Sequence, residues 1–292
     1  MAIALAGLEK TYPGFTLGPV DLAIEAGTVV GLVGPNGAGK TSMLNCIAGL
    51  VVPDGGTVEV FGCPNHPNNT TWKRDLGYVG EEHGFYGRWT TEKNLRAIGH
   101  LHPAWSDQRV SRMVERFELP LATRSTDLSR GNRTKLALIA AMGHGPRLLL
   151  LDEPTSGLDP LVRSEVLDVL WGLLEDGETT IFYSTHLLSD ISRLADELVF
   201  LQDGRILLRT EKEALSESWR RISFRLEEGD LALAGAIKHR YSGKEHQVIS
   251  SDHESTLKQL GELAAENVEE SRMTLEEITV EILRGEHHVE SR

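Results

Sequence analysis

Only two cysteines occur in the chain, Cys46 and Cys63, and they form no Cys-x-x-Cys pair. That argues against a disulfide scaffold or a thiolate metal centre and suits reduced thiols inside a cell. Basic charge is also scarce: 30 lysines and arginines face 43 aspartates and glutamates, a formal net charge of -13. A surface that wraps nucleic acid needs a basic stripe, so no nucleic-acid partner is expected. Long hydrophobic runs are missing. The best, residues 136–142, falls far short of the roughly 18 residues that span a bilayer. No basic segment precedes the mildly apolar opening at residues 1–8, which reads as a strand and not as a signal peptide. The expectation is a soluble chain, so that any membrane role must come through a partner.

What is present is an ordinary globular composition, 40% hydrophobic and 25% charged over 292 residues, with room for a large domain and a smaller one. Residues 28–33 form a β-branched run ending at Gly34, a buried strand, and residues 41–50 follow with helical spacing at Met43, Leu44, Ile47 and Ala48. Strand signals return at residues 57–61 and 75–79. From residue 90 to 143 the period is helical, with helices expected at 107–117 and 135–142, an all-helical insertion. Then come a strand at 148–151, a helix at 161–174, a strand at 179–184, a helix at 187–195 and a hairpin around Asp203-Gly204. This alternation predicts an α/β fold with a mostly parallel sheet. After about residue 211 the texture changes to a strand at 222–226 and helices at 254–266 and 275–283, a small α+β appendage with a frayed tail from 285.

Gly34-Pro35-Asn36-Gly37-Ala38-Gly39-Lys40-Thr41, followed by Ser42, fits the phosphate-binding loop pattern and lies between a predicted strand and helix. The glycines let backbone N–H groups turn inward toward phosphate oxygens, and the helix that follows offers its positive end to the same anion. Lys40 is placed to bridge the β- and γ-phosphates of a nucleotide such as ATP, and the Thr41 hydroxyl to ligate Mg²⁺. Residues 148–151 are four leucines ending in Asp152 and Glu153. A buried parallel strand delivers its end to the sheet edge where the phosphate loop sits. Asp152 is expected to hold Mg²⁺ and Glu153 to polarise the attacking water.

Asp152-Glu153-Pro154-Thr155-Ser156-Gly157-Leu158-Asp159-Pro160 resembles the Walker B strand and D-loop of ABC ATPases. Leu128-Ser129-Arg130-Gly131-Asn132 resembles their signature motif, Tyr183-Ser184-Thr185-His186 their switch-histidine segment, and Tyr12 the aromatic that stacks on adenine. The resemblance runs in the family's order through residues 1–210. It implies a P-loop NTPase core with a β-rich edge and a helical subdomain at about 85–145, followed by an accessory domain at 215–292 resembling the ABC-2 exporter type. It further implies that Ser129, Gly131 and Asp159 serve the nucleotide across a dimer, and that His186 contacts the γ-phosphate and orients Glu153.

Two departures stand out. The signature usually reads Leu-Ser-Gly-Gly-Gln, whereas this chain has Arg130 and Asn132. Arg130 either adds a cation near the anion or faces solvent. Where the family often has glutamine, this chain has Glu81, whose carboxylate can reach the metal or the attacking water. Phe85, Tyr86 and Trp89 follow, either as subdomain core or as a docking surface. The reading is an ATP-hydrolysing subunit, cytoplasmic and peripheral on the membrane, that pairs with a copy of itself or a paralogue and powers a separate integral permease, in the exporting direction. The rivals are a soluble ABC protein acting on DNA or ribosomes and a regulatory subunit with weak hydrolysis.

Overall fold

Alternating apolar residues build the first layer. Ile3, Leu5 and Leu8 point inward from β1 (Ile3–Tyr12), and Leu17, Val20, Leu22 and Ile24 answer from β2 (Phe15–Ile24), the two strands turning on Pro13-Gly14. The structure is a computed structural model. It describes all residues except 82–83, 175–178, 228–230, 285–287 and 292, and only the backbone of 173, 174 and 288–291. Two units make up the chain, Met1–Leu208 and Arg209–Arg292.

In the first unit β3 (Val29–Val33) leads through the glycine-rich loop into α1 (Lys40–Ile47), then β4 (Gly55–Val60), β5 (Cys63–Pro64) and β6 (Leu76–Val79). Three helices follow, α2 (Thr91–Gly99), α3 (Asp107–Arg116) and α4 (Arg130–Met142). Next come β7 (Leu148–Asp152), α5 (Pro160–Leu174), β8 (Thr180–Thr185), α6 (Leu188–Leu194), β9 (Glu197–Gln202) and β10 (Arg205–Glu211), whose last three residues belong to the second unit. The strands form an antiparallel sheet in the order β2-β1-β4-β5 and a larger one in the order β10-β9-β3-β8-β7-β6. In the larger sheet β6, β7, β8, β3 and β9 run parallel. Helix α1 packs on β7 of one sheet and β4 of the other, burying Met43, Leu44 and Ile47 in the shared core.

Leu148 to Leu151 are all fully buried, which is what a parallel strand covered on both faces requires. Each such leucine contributes about 1.5–3 kcal/mol through burial, which holds the strand inside the sheet. That register pairs Val33 with Thr185 and Asp152 with Ser184. The residues just beyond three neighbouring strand ends, Gly34, Glu153 and His186, therefore share one edge of the sheet.

The helical segment is fixed by its caps. Thr90, Ser106 and Ser129 accept hydrogen bonds from the N–H groups of Lys93, Arg109 and Asn132 and so start α2, α3 and α4. Helix α4, expected only over residues 135–142, begins five residues earlier because Ser129 caps it and Arg130, Gly131 and Asn132 complete its first turn. It packs on β6, α2 and α3, which fastens the helical group to that edge of the large sheet.

The second unit contains α7 (Lys212–Ser218), β11 (Arg220–Arg225), β12 (Ala236–Ser242), β13 (Glu245–Ser250), α8 (His253–Glu262), β14 (Glu266–Arg272), α9 (Leu275–Arg284) and β15 (His288–Ser291). Its sheet runs β14-β11-β13-β12-β15, with Ile222, Phe224, Val248 and Leu260 at its core. Two expectations are corrected. The helix placed at 254–266 ends at Glu262, and Glu266 opens a strand whose residues are all exposed, which erased the alternating signal. Residues 288–291 pair in parallel with β12 instead of fraying; the rest of the tail, 285–287 and 292, lies outside the described residues.

Candidate active site

The phosphate-loop segment emerges from β3 into a cleft of about 590 Å³, lined by Tyr12, Phe15, residues 36–42, Glu81, Glu153, Ser156 and His186. Gly39 caps α1 at φ +107, a left-handed conformation that glycine adopts without strain. Gly34 is pressed on β9: a Cβ there would stand 2.2 Å from the Leu201 carbonyl oxygen. Gly34 and Pro35 contribute carbonyls, both accepting from Lys40 Nζ, at 2.8 and 3.2 Å. Lys40 is 6% exposed, and its Nζ also lies 3.3 Å from Glu153 Oε1, an ion pair tying the start of α1 to the end of β7.

Asp152 ends β7 with no exposure to solvent. Its Oδ1 accepts from Ser184 Oγ at 2.6 Å, while Oδ2 is buried with no hydrogen-bond partner among the described residues. A buried carboxylate oxygen left unpaired is costly, and a hard cation would satisfy it. With the Thr41 hydroxyl lining the cleft, the donors are the oxygens Mg²⁺ prefers. The same carboxylate and burial push the Tyr78 hydroxyl up to about 12, burial being the larger cause. Tyr78 donates to Asn45 Oδ1 at 2.9 Å.

Glu153 adopts φ +50, an uncommon conformation for a residue with a side chain. Its N–H donates to the Ser184 carbonyl at 3.1 Å, and its Oε2 lies 2.7 Å from His186 Nδ1. Strained residues held by their surroundings concentrate at reactive sites. From this backbone position the carboxylate lies between Lys40 and His186.

Not every expected residue joins this cleft. Ser129 caps α4, Gly131 packs against Val162, and Asp159 Oδ1 caps α5 by accepting from the N–H groups of Leu161 and Val162 at 3.1 Å. None of the three lines the phosphate-loop cleft of its own chain. Glu81 does, and it also lines an adjoining cleft of about 540 Å³ with Gly80, Arg130, Arg133, Thr134, Glu153, Pro154 and Ser156. Arg130 packs on the loop after Glu153: a Cβ at Gly157, where φ is +67, would stand 2.4 Å from its Nη1. Arg130 is exposed and also lines the adjoining cleft with the two glutamates. Tyr86 and Trp89 are 64% and 41% exposed and stack on each other at 4.4 Å, so neither is core, while Phe85 is half-buried.

Sequence reasoning missed three participants. Phe15 lies across the Pro13-Gly14 turn from Tyr12, ring centroids 6.5 Å apart, and its signal was an aromatic on each side of a hairpin turn. Ser184, a polar residue in an apolar strand, and Ser156 were legible only as neighbours of Asp152 and Glu153.

Residues 17–156 match the ABC transporter family model. The bacitracin transport ATP-binding protein BcrA of Enterococcus faecalis is 35% identical over 70% of this chain and 68% of its own length. This chain belongs to the ABC transporter ATP-binding protein family. The probable multidrug ABC transporter ATP-binding protein YbhF of Escherichia coli is 35% identical over 76% of this chain, which spans only 39% of that relative's length. Among solved structures, a dimeric bacterial ABC transporter cassette superposes with a TM-score of 0.65 at 26% identity, over 72% of this chain and 98% of that one.

Proposed function

We propose that this chain binds and hydrolyses ATP as the motor subunit of an ABC exporter, pairing with a second ATPase subunit and driving a permease carried on a separate polypeptide. One observation carries the reading: Lys40, Glu153 and His186 meet in one cleft with the phosphate loop, while Ser129 and Asp159 stand away from it, where a second subunit's nucleotide can use them. The names of BcrA and YbhF, and the cassette whose solved structure is a dimer, support it.

The residues divide the work. Backbone N–H groups of residues 36–41 and the start of α1 hold the phosphates, and Lys40 shifts from its loop carbonyls to their oxygens. Thr41 and Asp152 would hold Mg²⁺, which when bound would neutralise phosphate charge; Glu81 would be a further ligand or would orient the water. Glu153 accepts the proton of the attacking water, and His186, in contact with its Oε2, keeps it aimed and donates toward the γ-phosphate. Tyr12 and Phe15 offer faces to the adenine ring. Arg130, packed against Gly157, adds a cation to the adjoining cleft.

The permease requirement has its own support. Among the described residues no helix is long and apolar enough to cross a membrane, whereas Tyr86 and Trp89, five and eight residues after Glu81 in sequence, form an exposed aromatic pair. The chain then works at the cytoplasmic face, attached through protein and not through lipid, since its acidic balance disfavours anionic headgroups. Co-expression with a candidate permease tests this: the chain co-sediments with membranes, and Tyr86→Glu with Trp89→Asp releases it while ATP affinity is kept. Recovery of ribosomes or nucleic acid instead of a membrane protein overturns the assignment.

A further inference from the structure

Asp190, on α6, has no exposure to solvent, and its carboxylate gathers three elements. Its Oδ2 accepts from Tyr183 OH at 2.9 Å on β8 and from Thr155 Oγ1, two residues past Glu153. Its Oδ1 accepts from Arg163 Nε on α5, and Arg163 also reaches Ser189 Oγ. Thr155 and Tyr183 touch each other at 2.9 Å, which closes a buried triangle. Burial and the negative charge of Asp190 hold the Tyr183 hydroxyl well above its ordinary range.

A buried ion pair is an expensive way to stabilise a fold, since apolar side chains of the same volume often do as well or better. What the pair adds is position. Thr155 and Arg163 bracket the loop that carries Gly157 and Asp159, so one carboxylate pins both ends of the segment. Tyr183 lies three residues before His186, and Asp190 four after it. We propose that Asp190 is a positioning residue for hydrolysis, holding Glu153, His186 and the loop at 156–159 in one geometry through Thr155, Tyr183 and Arg163. The proposal rests on the ATPase reading above. Asp190 does not line the nucleotide cleft, so ATP binding to the phosphate loop is independent of it.

The test measures phosphate release and ATP affinity together in the full chain. Asp190→Asn keeps the shape but loses the charge, and kcat falls at least about tenfold, in line with the cost of a misplaced catalytic group. Affinity for a fluorescent ATP analogue stays within about twofold, because the phosphate loop keeps its donors. Thr155→Val and Tyr183→Phe lower kcat by smaller factors, and the Thr155→Val/Asp190→Asn double variant is no slower than Asp190→Asn alone, since both act along one path. If Asp190→Asn does not fold, the two hydroxyl variants decide by the same readouts. An unchanged kcat in the folded variants, or an affinity that falls as far as kcat, overturns the positioning role. A wild type that binds ATP but releases no phosphate overturns the hydrolytic reading itself, and the proposal with it.

Discussion

Replacing Lys40 with methionine keeps most of the side-chain volume and removes one buried cation. In the free protein its Nζ serves the Gly34 and Pro35 carbonyls and faces Glu153 Oε1 at 3.3 Å. Binding ATP transfers that charge to phosphate oxygens, so the substitution deletes charge-assisted hydrogen bonds that no other lysine among the described residues lining the cleft replaces; Arg130 and Arg133 line the adjoining cleft. Each such bond contributes about 1.5–3 kcal/mol net, but the two loop carbonyls and Glu153 already hold the cation in the free state. The surplus is then about 2–4 kcal/mol, or about 30- to 700-fold in Kd at 1.4 kcal/mol per decade. The free protein loses its ion pair as well, about 1–3 kcal/mol, which lowers the melting temperature by several degrees. Titration of a fluorescent ATP analogue into both proteins, beside a thermal melt, reads the two effects. A Kd within about threefold of wild type in a folded Lys40→Met protein would refute the role given to Lys40.

Two further predictions follow from particular contacts. Ser129→Arg places a long side chain at the start of α4, away from its own chain's cleft; ATP affinity stays as in wild type while hydrolysis is lost, read by analogue titration and phosphate release. His144 is buried, and burial, then His102, pulls its pKa down to about 4. Its folded value lies below the unfolded value near 6.5, so the unfolded chain gains a proton that the folded chain does not. Stability is whole above pH 6.5 and is lost as pH falls toward 4, by about 2 kcal/mol between pH 7 and pH 5. Urea unfolding at the two pH values measures this loss, and a His144→Gln chain shows a smaller difference.

The parallel core was legible because its strands are short, apolar and bounded by turns, and because the phosphate loop occurs only between a strand and a helix. Four leucines before Asp152 and Glu153 announced both the strand and its edge. The start of α4 was missed because arginine, glycine and asparagine weaken its apolar period, while the decisive contact is one hydroxyl, Ser129 Oγ on Asn132 N. Strand β14 was missed because its seven residues are all exposed and carry no alternation to read. At the site, Lys40 and Glu153 could be named from spacing, but their 3.3 Å approach could not. Nor could the contacts of Asp190, which reach Thr155, Arg163 and Tyr183 at 35, 27 and 7 positions away in sequence. Local patterns encode local structure; contacts of this kind depend on how strands are ordered in the sheet.

The central claim is that two subunits close over ATP and that Glu153 commits the closed state to hydrolysis. Glu153→Gln keeps the size of the side chain and abolishes its basicity. Size-exclusion chromatography with light scattering, run on this variant with and without ATP and Mg²⁺, reads the claim directly. The account predicts a monomer without nucleotide and a lasting ATP-bound dimer with it, with no phosphate released. A variant that stays monomeric at saturating ATP, or hydrolyses at the wild-type rate, contradicts it.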